Sequence, residues 1–132
     1  SPAAAPQPLA ALPAPQAEAH SQRLLKAMIA AAKADGHLDE RERGLIDAEL
    51  QRSGADAGTR QWVEAELRRP VEPAEVAAGV AGLDAASEVY LASVLVVDTT
   101  TTMERAYLDA LAQQLQLPAG LKAELEAKAA AA

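Results

Sequence analysis

Cysteine and phenylalanine are both absent from the 132 residues. Without cysteine there is no disulfide framework, no thiolate metal site and no thiol nucleophile, and the redox compartment leaves no mark on the sequence. Aromatic residues are confined to Trp62, Tyr90 and Tyr107, and basic residues are scarce: 12 Lys and Arg stand against 19 Asp and Glu, a formal charge of −7. That balance excludes the clustered basic footprint and stacking aromatics of a nucleic-acid binder and favours cations or basic partners. Long apolar runs are missing too. The most continuous one, residues 89–97, is far short of the roughly 20 residues that span a bilayer, so the chain is expected to be soluble. Few β-branched runs occur, which leaves little material for strands.

What the chain has in quantity is alanine, within a composition that is 50% hydrophobic. Alanine buries little area but has the highest helix propensity of any residue, so the expected fold class is all-α, and the length suits a single core. Residues 1–16 carry no charge and contain Pro2, Pro6, Pro8, Pro13 and Pro15, which block a continuous helix. We read 1–17 as a disordered Ala/Pro-rich linker and 18–132 as the helical domain. The start lacks a methionine and the basic n-region of a signal peptide, which suggests a piece of a longer protein.

A duplication organises the domain. Residues 27–50 and 92–115 each run from an apolar helix through an acidic turn into a charged helix. They share Glu42-Arg43-Gly44-Leu45-Ile46-Asp47-Ala48 against Glu104-Arg105-Ala106-Tyr107-Leu108-Asp109-Ala110. Helical spacing places Leu24, Leu25, Met28, Ile29 and Ala32 on a first helix that begins at Glu18. A second, capped by Asp39 and stopped by Gly54, turns Leu45, Ile46 and Leu50 inward. Asp56 caps a third helix with Trp62, Val63 and Leu67, and Pro73 opens a short fourth. The fifth, capped by Asp84, has Val89, Leu91, Val94, Leu95 and Val97 nearly all round, the pattern of a buried hub. A sixth places Tyr107, Leu108, Leu111 and Leu115 inward, and Pro118 opens a seventh with Leu121 and Leu125. The expectation is a bundle of about seven helices made from two pseudo-symmetric helix–acidic turn–helix units, with short connections between antiparallel neighbours.

The acidic turns are the one constellation with chemical interest. Counted from Asp35, the EF-hand pattern fails, because its glycine position holds Glu40 and its bidentate position Ile46. Glu42 and Glu104 follow Asp39 and Thr101 at capping-box spacing, which accounts for both glutamates structurally. Asp35 and Asp98 end helices, where the macrodipole disfavours a carboxylate by about 0.3–1 kcal/mol. An Asx-turn, a cation or a basic partner would each compensate. His37 stands without other histidines nearby and reads as an exposed turn residue rather than a ligand. Arg43 with Asp47, and Arg105 with Asp109, have the spacing of surface ion pairs. No nucleophile with its base, and no glycine-rich phosphate loop, is recognisable.

At Leu25-Lys26-Ala27-Met28-Ile29-Ala30-Ala31-Ala32-Lys33-Ala34-Asp35-Gly36-His37, Ala86-Ser87-Glu88-Val89-Tyr90-Leu91-Ala92-Ser93 and Glu104-Arg105-Ala106-Tyr107-Leu108, the chain resembles the TerB-like superfamily. It is most similar there to the domain-of-unknown-function family that includes the bacterial inner-membrane protein YebE. The resemblance implies a compact seven-helix fold with one acidic turn per half, tethered to the inner membrane through an N-terminal region not contained in this sequence. Its tellurite-resistance relatives are associated with metal stress and acidic metal-binding patches. Carried over, such a patch falls on Asp35, Glu42, Asp98 and Glu104, although four threonines in the second turn depart from the pattern. The first expectation is a non-enzymatic acidic interaction module for a protein partner, with no nucleic acid and no certain cofactor. The alternative is a module that binds calcium or magnesium, since the available ligands are oxygens.

Overall fold

A computed structural model describes residues 14–97 and 101–132. Residues 1–13, most of the stretch read as a linker, and Asp98 with the two threonines after it lie outside the described residues. The described chain forms seven helices: α1 (Ala14–Ala32), α2 (Glu40–Arg52), α3 (Ala57–Glu66), α4 (Pro73–Ala77), α5 (Leu83–Val96), α6 (Thr102–Gln114) and α7 (Ala119–Ala130). No strand occurs among the described residues.

α1 begins earlier than the apolar pattern suggests, at Ala14. Pro15 falls in its first turn, where the missing N–H has no helical partner to lose. Most of the other boundaries follow local rules. Asp39 caps α2 in a complete capping box and Asp56 caps α3. Pro73 is the first residue of α4. α5 starts one residue before Asp84, with Gly82 at its N-cap, so Asp84 lies in the first turn rather than capping it. α2 ends at a left-handed Gly54, with φ +65, and Ala55 N–H closes on the Leu50 carbonyl at 3.0 Å. α6 ends the same way at Gln116, φ 57, with Leu117 N–H on the Ala112 carbonyl at 3.1 Å.

The centre of the bundle is α1, which packs against α2, α3, α4, α5 and α6. It does so by burying two faces. Leu25, Ile29 and Ala32 meet Ile46 and Leu50 of α2, Val63 of α3 and Val96 of α5. Ala27, Ala30 and Ala31 face the second cluster, which holds Val76, Val89, Tyr90, Leu108, Leu111 and Leu125. The small alanine side chains let α5 approach α1 closely along this seam. The expectation that α5 is the fully buried hub is therefore corrected in part. Val89, Tyr90, Val94 and Val96 are buried, but Leu91 is half-buried and Leu95 is 41% exposed. Hydropathy alone could not show that α1, rich in alanine, would be the helix that packs against α2, α3, α4, α5 and α6. Ser93, fully buried in α5, satisfies its hydroxyl by donating to the Val89 carbonyl at 2.9 Å.

Two cations close helix ends across the bundle. Arg41 Nη1 donates to the Val96 carbonyl at 2.9 Å, at the C-terminus of α5. Lys33 Nζ donates to the carbonyls of Glu66, at 3.0 Å, and Arg69, at the end of α3. Both place positive charge where carbonyls are unsatisfied and the macrodipole is negative.

Candidate functional site

The first acidic turn is built from its own backbone. After α1, His37 N–H donates to Asp35 Oδ1 at 2.9 Å, the Asx-turn that offsets the unfavourable helix end. Asp39 then starts α2: Glu42 N–H donates to Asp39 Oδ1 at 2.7 Å, and Asp39 N–H donates to Glu42 Oε1 at 3.0 Å. In the second unit Glu104 N–H donates to Thr101 Oγ1 at 3.2 Å, and that hydroxyl donates onward to Glu104 Oε1 at 2.5 Å. The N-cap read from the spacing is thus present in both copies, and the reciprocal bond from the glutamate side chain to the cap N–H is present in the first.

Burial of the two glutamates was not foreseeable from the caps. Glu42 is 3% and Glu104 1% exposed, whereas a surface cap normally stays wet. Burial pushes the Glu42 carboxyl up, and the Asp39 N–H pulls it back only partly. The charges of Asp39, Glu104 and Asp35 push it further up. Asp35, Glu42 and Glu104 therefore share one electrostatic neighbourhood. Asp98, the fourth member of the anticipated patch, lies outside the described residues. Among the described residues no three His, Asp or Glu side chains are grouped to hold a metal ion.

Other charged side chains are joined in ways that local spacing only half reveals. Glu66, buried at the end of α3, receives Arg69 at 2.8 and 3.0 Å and Lys26 at 3.4 Å. Burial raises its carboxyl, but Arg69 and Lys26 outweigh that and hold it below its ordinary value. Lys26 also reaches Glu75 at 2.6 Å, so one network ties α1, α3 and α4. The Glu66 to Arg69 spacing is visible in sequence, while Lys26, forty residues earlier in the chain, is not. His20 joins α1 to α5 through Glu88. Tyr90 donates to Glu126 at 2.6 Å, and Lys122 bridges Glu126 at 2.8 Å and Asp109 at 3.1 Å. Asp109 is thus taken by α7 rather than by Arg105. Arg43 pairs with Asp47 at 3.1 Å as its spacing suggests, and also with Glu64. Tyr107 keeps a buried hydroxyl that has no hydrogen-bond partner among the described residues.

On the outside, an apolar groove of about 310 Å³ runs between α1, α2 and α5, floored by Leu24, Met28, Ala48 and Val96 and flanked by Leu45 and Leu95. Leu45 is 36% exposed. At Arg52 this groove adjoins a second depression, of about 400 Å³, lined by Glu18, Ser21, Gln22 and Asp56. No described helix is long and apolar enough to cross a membrane.

A helical bundle with capped acidic turns, buried cap glutamates and an open apolar groove defines a small helical domain in which local chemistry is spent mainly on holding helices together. The chain belongs to the family described as "Protein of unknown function (DUF533)", whose model matches residues 1–129. It is similar to a Yersinia enterocolitica protein described as "Uncharacterized protein in ampR 5'region". The two are 31% identical over 105 residues, which cover 80% of this chain and 76% of the relative. No solved structure matches the chain.

Proposed function

We propose that the chain is a non-enzymatic, acidic, helical interaction module of a membrane-tethered bacterial protein, akin to the TerB-like superfamily and to the family of YebE. The observation that carries this reading is the open groove between α1, α2 and α5, in which leucines on two helices remain over a third exposed. An exposed apolar surface rimmed by polar residues is what a protein contact requires. The relative from Yersinia enterocolitica supports the bacterial part of this reading. Affinity capture from solubilised bacterial membranes tests it: a partner held by the folded domain and released when the domain is unfolded supports the module, and the absence of any such partner refutes it.

A second reading, a site for calcium or magnesium, is supported by the burial of Glu42 beside its cap Asp39, two carboxylates that repel each other. A hard divalent cation would relieve that repulsion. Under this reading millimolar calcium or magnesium raises Tm, following RT ln(1 + [L]/Kd), and Asp35→Asn removes the increment. A Tm indifferent to both ions leaves the interaction module alone.

A further inference from the structure

We propose that the groove between α1, α2 and α5 receives an amphipathic helix of another protein, laid apolar face down with basic residues toward one end. This rests on the interaction-module reading and adds the place and chemistry of the contact.

The groove is mostly apolar, and acidic side chains lie beyond one end of it, in the adjoining depression and on the α1–α5 seam. At the other end Met28, Leu45, Leu95 and Val96 come together where α1 and α5 finish and α2 begins. A cavity of about 310 Å³ there has room for one or two large side chains. One turn back along both α1 and α5 from Leu24 and Ala92, the pair His20 and Glu88 joins the helices, and the Glu88 side chain remains 53% exposed. Beyond Arg52 the adjoining depression brings in Glu18 and Asp56. Arg52 itself is held by Glu49 at 2.9 Å, so its charge is offset within the protein. From Glu18 to Met28 the path follows about three turns of α1, about 15 Å. That length, apolar along part of it and negative at one end, matches a short helix with anchors at i, i+3 or i+4 and i+7 and Lys or Arg beyond them. The complementary sign also agrees with the net charge of −7, which opposes a second copy of this chain as occupant.

The probe is a synthetic amphipathic peptide of leucine and lysine, about 14 residues and so about 20 Å long as a helix. Its counterpart has glutamate in place of every lysine. Amide shifts of the isotope-labelled chain map the contact, and titrations give Kd. The basic peptide is expected to shift amides around Leu24, Met28, Leu45 and Leu95, and to bind at least about tenfold more tightly than the acidic one. Leu45→Gln with Leu95→Gln should weaken it at least about tenfold, and Glu18→Gln with Glu88→Gln should reduce its salt dependence. Because Leu45 and Leu95 are over a third exposed, the first variant retains the wild-type circular dichroism. Shifts spread over the acidic surface, with affinity unchanged in the leucine variant, overturn the proposal. So does a concentration-dependent dimer that the leucine variant abolishes, which would make a second copy the occupant. Movement of the groove amides on deletion of residues 1–13 overturns it in favour of the chain's own segment. Capture of one membrane partner by wild type and leucine variant alike refutes the groove and leaves the interaction module standing. Capture of none by either refutes both.

Discussion

At Glu42 a cap and a repulsion meet on one carboxylate. Its folded pKa lies above the ordinary value, so the group favours the fold fully below its unfolded pKa, and that contribution is lost as pH rises through the folded value. Ionised Glu42 is therefore unfavourable at neutral pH. Glu42→Gln keeps an oxygen for the Asp39 N–H and removes the charge. We expect it to raise Tm at pH 7 and to lose that advantage as pH falls toward 4; an equal gain at both would show that charge is not the cause. The two tyrosines make a second contrast. Tyr90 donates to a carboxylate, and the Tyr107 hydroxyl has no partner among the described residues. A hydrogen bond to a charged group contributes about 1.5–3 kcal/mol, and leaving a buried polar group unsatisfied costs about 1–3 kcal/mol. In urea titrations Tyr90→Phe should destabilise on that scale, while Tyr107→Phe should be neutral or stabilising. A loss of more than about 1 kcal/mol in Tyr107→Phe would reveal a bond partner for its hydroxyl.

The helices divide between those whose ends are written locally and those whose burial is set by neighbours. Caps at Asp39, Asp56 and Thr101 and the opening proline of α4 were legible because each acts within three residues. Gln116 was not, since a left-handed position is usually announced by glycine. Gln116→Gly should therefore stabilise by about 1 kcal/mol, the scale of the left-handed penalty for a side chain. A loss in thermal unfolding would show that the glutamine makes a compensating contact. Burial within α5 follows tertiary geometry that hydropathy does not encode, as Val89 at 0% and Leu95 at 41% exposure show. Val89→Ala should cost about 1–3 kcal/mol, and Leu95→Ala less than about 0.5 kcal/mol. Equal losses would place Leu95 inside the core.

Over the whole molecule, the charge of −7 acts against compactness, while most of the ion pairs are exposed and individually weak. The partly buried set around Glu66 is screened less. Raising salt from about 10 mM, where charges interact over about 30 Å, to about 0.1 M, where they do so over about 10 Å, should therefore raise Tm. A fall would mean that surface pairs outweigh net repulsion. The all-helical class and the doubled unit were legible because composition and repetition survive in a linear text. The groove was not, because Leu24, Leu45 and Leu95 look like core residues until the bundle shows which faces remain uncovered. α1 of the first unit lies against α5 of the second, and each is followed by its own charged helix. Because the seam between them is made largely of Ala27, Ala30 and Ala31, a larger side chain there would have to push the two helices apart, so the contact between the units is less open to change than the turns that follow it.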